Sequence, residues 1–286
     1  MAAAASSVTD PGLWRVLVSR RSVMIGVIIF AIIAGAALLA PWVSPYDPFK
    51  LSIANRLKPP SARFWFGTDE FGYDIFSRTI YAGRLSLLVG LGVVVLASLI
   101  GVILGVFAGF YRKADVVLAR VIDAMMAFPD VLLAIALMAA LGPSLVNVII
   151  ALSVVYAPRI ARVVRASTMV IRELPYVEAA RAIGVSTPRI LLFHILRNLV
   201  SPILVQATFV FAHAMLAEAG LSFLGVGVSP DIPTWGTMIS AGRQFVGKAG
   251  WMIFFPGLAI VLAVLSLQMI GDGLRDALDP RLTKDM

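Results

Sequence analysis

Apolar residues in this chain come in long continuous runs, not in alternation. Six runs stand out, at about 23–43, 85–110, 128–141, 145–160, 199–224 and 251–270. A helix needs roughly 20 apolar residues to cross a hydrocarbon core. Strands of a membrane β-barrel would instead alternate lipid-facing and lumen-facing residues. The pattern therefore predicts an all-α, polytopic membrane protein with about six transmembrane helices. The third and fourth runs are short and are expected to extend into their polar flanks, with Gly142-Pro143-Ser144 as a tight turn between them.

The polar positions organise what lies between the runs. Residues 1–22 read as an N-terminal tail and 23–43 as the first membrane helix. A long loop follows at 44–83, then a membrane core at 84–272 and a C-terminal tail at 273–286. The first run follows Arg15, Arg20 and Arg21 but is longer than the roughly 7–15 residues of a signal-peptide core, so it reads as a retained helix. The 44–83 loop is too long for a mere connection. It carries Pro45, Pro48, Pro59 and Pro60 among Tyr46, Phe49, Phe64, Trp65 and Phe66. Residues 115–126 mix apolar and charged positions. Asp115, Arg120 and Asp123 would be costly at mid-bilayer and suit an elbow leading into the third span.

Composition sharpens this picture. Hydrophobic residues make up 60% of the chain and charged residues 14%, against roughly 45–50% and about 25% in soluble domains. The net charge of +8 suggests nucleic acid at first sight, but its distribution argues for a membrane instead. With both termini inside, the inner segments hold most of the Lys and Arg, including seven Arg between 159 and 197. That is the positive-inside bias, and it predicts cytoplasmic termini and no nucleic-acid partner. The absence of Cys excludes disulfides and thiolate metal ligands, and two His leave little for a metal site. No P-loop is present: the one Gly-Lys, Gly247-Lys248, precedes Ala249. A catalytic site and a bound cofactor are not expected.

The basic segment at about 165–197 holds the most specific local pattern. Pro175 suits the first turn of a helix. Tyr176, Ala179, Ala180 and Ile183 follow at i, i+3, i+4 and i+7, one apolar stripe beside Glu178. The two alanines would let a partner surface approach closely. Gly184 suits a left-handed helix stop. Thr187 and Pro188 suit the cap and first position of the next helix. Near the first membrane loop, Asp69 and Asp74 beside Arg78 are placed to cap a helix starting near Ile75. Asp272, Asp276 and Asp279 with Arg275 suit pairs on a helix surface. In the fifth run, Gln206 and His213 share a face, while Glu218 lies about 140° around. Such polar residues in a membrane helix usually face a bundle interior or a cavity.

Glu178-Ala179-Ala180, closed by Gly184 and placed between membrane spans, resembles the coupling loop of ABC importer permeases. Twelve and thirteen residues after the Gly that family has Leu-Pro; here Leu196 matches and Arg197 replaces the Pro. Gly67-Thr68-Asp69, Gly72, Asp74 and Ser77-Arg78 resemble the signature of peptide- and nickel-type permeases, with Tyr73 where an Arg is usual. Leu221–Gly225, Pro233–Gly236 and Gly271–Arg281 match further stretches of that subfamily. The order of elements is most similar to the "C" permease of dipeptide and oligopeptide importers. The resemblance implies the type I importer permease fold and a heterodimeric membrane core with a second, related permease. It implies two cytoplasmic ATPase subunits that bind ATP and Mg, and an external substrate-binding protein. Tyr176, Glu178, Ala179, Ala180, Ile183 and Gly184 would then couple to the ATPases, and Gln206, His213 and Glu218 are candidates for the substrate path. Peptide is the implied substrate; nickel and other small solutes share the motifs. A secondary transporter fits less well, because neither inverted repeats nor broken mid-membrane helices stand out.

Overall fold

In the computed structural model, residues 20–278 are described. Helix α1 (Arg21–Leu38) is followed by a separate turn, Ala40–Val43, with Pro41 in its first positions. The expected first span to residue 43 thus stops at Leu38, because Pro41 has no N–H to continue the ladder. Helix α2 (Ile75–Phe110) spans 36 residues, about 54 Å at ~1.5 Å per residue. Helices α3 (Arg112–Met126) and α4 (Asp130–Leu141) meet at a 93° bend. Next come α5 (Leu145–Ile171), α6 (Pro175–Ala182), α7 (Thr187–Phe223), α8 (Trp235–Gly242) and α9 (Trp251–Leu278). Five of these, α1, α2, α5, α7 and α9, are long and apolar enough to cross a membrane, and the bent α3–α4 pair makes a sixth if it counts as one broken span.

Helix boundaries depart from the hydropathy runs wherever polar residues continue a helix. Helix α2 starts at Ile75, ten residues before the expected 85, because Asp74 caps it. The long loop therefore ends at 74 rather than 83. Helix α5 continues eleven residues past 160 and carries Arg159, Arg162 and Arg165 on it. Helix α7 starts at Thr187, not 199, and passes through a π-helical stretch, Ile190–Leu196. Arg197 continues it without a break. Helix α9 absorbs the start of the expected 273–286 tail. The expected pairing partner Asp279 and the N-terminal residues 1–19 lie outside the described residues.

The closest helix contact is α2 on α5. Gly101, Gly105 and Gly109 recur every fourth residue along the contact face of α2. A Cβ on Gly101 would stand 2.7 Å from the Cβ of Ile160, and one on Gly105 would stand 2.6 Å from the Ala161 carbonyl oxygen. Small residues at this spacing let membrane helices pack backbone to backbone, which replaces the hydrophobic drive that lipid removes. Leu152, Ile160 and Val164 of α5 are fully buried here. The opposite face of α2 presents Leu91, Val95, Leu99, Ile103 and Phe107, each about half exposed. That stripe would be a liability in water and is ordinary in contact with lipid.

A second packing centre surrounds α8. Trp235 is 2% exposed, and its indole donates to the Thr79 carbonyl at 2.8 Å. Its backbone N–H donates to Ser86 Oγ at 3.0 Å. These bonds fix the short helix against α2, between α7 and α9. At the other end Arg20 pairs with Asp276, so the start of α1 and the end of α9 share one side. Asp276, expected among the surface pairs of its own helix, instead takes Arg20, the residue just before α1, as its partner.

Candidate coupling site and the polar clusters around it

Helix α6 begins with Pro175 in its first turn and carries Glu178 near its N-terminus and Arg181 near its C-terminus, matching the helix dipole. It ends as the sequence suggests. Gly184 has φ +79°, its N–H donates to the Arg181 carbonyl at 3.0 Å, and the Val185 N–H reaches the Ala180 carbonyl at 3.0 Å. That is a left-handed stop closed by a six-to-one bond. Ser186, not Thr187, occupies the following cap position, without a side-chain bond.

The two faces of α6 divide differently from the expected stripe. Val177 (0% exposed) and Ala180 (6%) are buried in this chain's own core with Ile171, Ile190 and Ile195. Ala180 is therefore not on the approachable surface; its small side chain is needed inside the chain. Tyr176, Glu178, Ala179 and Ile183 lie on the open side. Ile183 is 81% exposed. Tyr176 stacks near His194, with ring centroids 6.2 Å apart, and its hydroxyl accepts from Asn198 at 3.3 Å. Arg181 lies over the Phe110 ring at 5.2 Å, which ties α6 to the end of α2.

An ion-pair ladder beside α6 was missed at the sequence level. Arg159, Arg162 and Arg165 recur every third residue on α5. They pair respectively with Asp130 at the start of α4, and with Asp123 and Asp115 on α3. Arg172 donates to the Gly109 carbonyl at 2.6 Å. Three of the seven Arg between 159 and 197 thus hold the elbow α3–α4 to α5, and Arg172 ties the end of α5 to the end of α2. The signal was available in the acidic residues of the elbow facing an Arg row of helical period.

The polar residues of α7 separate. His213 is exposed and Gln206 half-buried. The His213 ring bonds the Phe209 carbonyl at 2.8 Å, and its own carbonyl accepts from the Tyr156 hydroxyl at 3.4 Å. Glu218 is 1% exposed. Its Oε1 accepts from Ser222 Oγ at 2.9 Å and Thr234 Oγ1 at 2.8 Å. Within this chain Glu218 faces α8, not an open path.

The loop motif closes on itself. Asp74 Oδ2 accepts from the N–H of Ser77 at 2.8 Å and from its hydroxyl at 2.7 Å. Asp69 does not cap α2. Its Oδ1 accepts from the Phe71 and Tyr73 N–H groups at 2.9 Å each, and its Oδ2 pairs with Arg78 at 3.2 Å. Tyr73 lies under the Arg78 guanidinium at 4.4 Å, a cation–π contact. Thr68 Oγ1 accepts from the Lys58 N–H at 2.8 Å, and its carbonyl accepts from the Trp251 indole at 3.1 Å. Gly67 and Gly72 both have φ +77°; a Cβ on Gly72 would stand 1.9 Å from the Ser52 carbonyl oxygen. Burial raises the pKa values of Asp69, Glu70 and Asp74 above the ordinary range, and for Asp69 the Arg78 charge only partly opposes it. The motif is a structural knot that joins the long loop to α2 and α9. Among the described residues no three His, Asp or Glu are grouped to hold a metal ion.

Comparison with known proteins places this geometry. Residues 97–284 match the family described as binding-protein-dependent transport system inner membrane component. Residues 12–60 match the N-terminal TM domain of oligopeptide transport permease C. A Brucella suis chain, provisionally named a peptide transport system permease protein, is 50% identical over 94% of this chain and 90% of its own length. The dipeptide transport system permease protein DppC of Alkalihalophilus pseudofirmus is 45% identical over 91% of this chain and 86% of its own. The di/tripeptide permease DppC of Pseudomonas aeruginosa is 43% identical over 94% and 91%. In fold, a chain of the inward-facing MetNI methionine ABC transporter matches with a TM-score of 0.55 at 20% identity, covering 72% of this chain and 97% of that one.

Proposed function

Since the chain belongs to the binding-protein-dependent transport system inner membrane components, we infer that it is the permease subunit of an ATP-driven ABC importer carrying di- or oligopeptides across a cell membrane. Relatives named as dipeptide and di/tripeptide permeases along nearly the whole chain support the peptide class. The chain is a membrane component and not the enzyme of such a system. ATP and Mg belong to two cytoplasmic partner subunits, a second related permease completes the membrane core, and a binding protein delivers substrate from outside. Both termini and α6 lie on the cytoplasmic side, and the loop 44–74 lies outside.

The observation that carries the coupling role is the division of α6. One face is anchored in the core through Val177 and Ala180, and the other leaves Ala179 and Ile183 exposed, with Tyr176 half-exposed beside His194. A rigidly anchored helix with an apolar outer face transmits a push from a docked partner to α5 and α7. An exposed Ile at a helix end is the kind of anchor an apolar cleft accepts.

The chain has no Cys, so Ile183→Cys introduces a unique thiol. In a complex purified with its co-expressed subunits, this thiol should cross-link to a cysteine introduced in the ATPase cleft, and the cross-link should stop uptake of a labelled dipeptide. An Ile183→Cys thiol that labels freely in the assembled complex and never cross-links to an ATPase would overturn the coupling assignment.

A further inference from the structure

A groove of about 770 Å³ lies between α1 and α2 at their loop-side ends. Its floor is Phe211 of α7, which meets Phe30 of α1 edge to face, with centroids 6.0 Å apart. Gly90 makes this floor possible: a Cβ there would stand 2.2 Å from the Phe211 ring. Ala34 and Ala37 on α1 and Leu85 and Leu88 on α2 form apolar walls. Leu88 is 49% exposed, so the groove opens sideways into the surroundings.

One charge breaks this apolar lining. Arg84 borders the groove, is exposed, and makes no ion pair among the described residues. It lies three residues below Tyr81, on the same face of α2 and near the end closed by Phe49 and Pro233. From Tyr81 to Leu91 the helix rises about 15 Å, half of a hydrocarbon core about 30 Å thick. The groove therefore has the depth of one leaflet, with its cation at the headgroup end. A long basic side chain at that depth turns toward the interface, and a guanidinium matches a phosphate with two parallel donors.

We propose that this groove binds one acyl chain of an anionic phospholipid, whose phosphate is held by Arg84. The charge and the depth both point to a lipid and not to a protein helix, which would leave Arg84 facing an apolar surface. Bound there, the lipid fills the space between α1 and α2 that the two small residues of α1 leave open. The inference needs only that the chain spans a bilayer. It is independent of the peptide assignment, and its readout is lipid retention, not transport.

The test uses the full-length chain purified with its co-expressed subunits from bilayers of phosphatidylglycerol and phosphatidylcholine. Native mass spectrometry should find phosphatidylglycerol retained in preference to phosphatidylcholine. Arg84→Gln should lower that retention about fivefold, the effect of one basic side chain near a membrane surface, while Arg84→Lys should keep most of it. Ala34→Trp should displace both lipids by filling the groove. A photoreactive residue replacing Leu88 should cross-link to lipid. Equal retention in wild type, Arg84→Gln and Ala34→Trp would overturn the proposal, as would a cross-link from position 88 to another subunit's polypeptide.

Discussion

Arg165 on α5 grips Asp115 on α3 with two parallel bonds: Nε donates to Oδ1 at 2.5 Å and Nη2 to Oδ2 at 2.9 Å. Two-pronged geometry and partial burial set this pair apart from Arg162–Asp123, whose side chains are 52% and 66% exposed. Exposed pairs contribute about 0–1 kcal/mol, and charged hydrogen bonds with some shielding contribute more, about 1–2 kcal/mol here. Arg165→Ala should therefore lower the melting temperature of the purified protein, and Arg162→Ala should barely change it. A thermal-shift series that ranks Arg162 above Arg165 would contradict the greater weight of the two-pronged pair.

The split faces of α6 separate two alanines that look alike in sequence. Ala180 is 6% exposed within the core, so Ala180→Trp should overpack it by about 1–3 kcal/mol and reduce the yield of folded protein. Ala179 is exposed, so Ala179→Trp should leave yield and melting temperature unchanged while abolishing transport-coupled ATP hydrolysis in the complex. Yield and coupled hydrolysis measured side by side test both. An Ala179→Trp complex with normal coupling would take this face out of the docking surface.

At Gly184 the strain is in the backbone alone. Its φ is +79°, yet nothing stands within 4 Å of a Cβ built there. A β-branched residue should cost about 1–2 kcal/mol through the left-handed conformation, with no steric clash added. Gly184→Asn should retain most activity, because Asn visits that conformation readily, and Gly184→Val should lose most of it. Uptake rates at matched protein level distinguish the two; similar rates would mean that the turn relaxes freely.

Glu218 satisfies two hydroxyls with one oxygen. Gln keeps an acceptor in that place, so Glu218→Gln should assemble normally. Glu218→Leu leaves Ser222 and Thr234 without this acceptor and should cost about 2–6 kcal/mol in total, at ~1–3 kcal/mol for each buried group left unpaired. Expression and thermal stability are the measurements. Normal stability in Glu218→Leu would show that the α7–α8 bond is dispensable.

The loop carboxyls predict a pH trend. Burial raises Asp69 and Asp74 above 3.8 and Glu70 above 4.5. Raised folded-state values mean that the folded loop binds more protons than the unfolded one between the two pKa values. The stability these groups contribute is fully present below the unfolded values and is lost as pH rises through the folded values. Protease resistance of the 44–74 loop should therefore increase on acidification from neutral pH into the carboxylate range, and Asp69→Asn should flatten the trend. Falling resistance over that interval would contradict it.

What the sequence determined by itself follows from local physics. Continuous apolar runs define membrane helices because lipid cannot satisfy an open backbone. Pro175 and Gly184 bracket α6, and Asp74 starts α2, because each acts on its own turn of backbone. Hydropathy alone misplaced the ends of α2, α5 and α7, since Arg continues a helix about as well as Leu does, and Ser and Thr are tolerated there, once the helix leaves the bilayer centre. Other features needed the tertiary structure. Nothing local makes Ala180 inward and Ala179 outward; the neighbouring Ile171, Ile190 and Ile195 do so. Asp276 has Arg275 beside it in sequence but meets Arg20, because α1 and α9 end together. The Arg row of α5, the burial of Glu218 and the groove at Arg84 each depend on a second helix brought alongside by long-range packing. A local pattern encodes the shape of its own turn, but not which of its faces another part of the chain will cover.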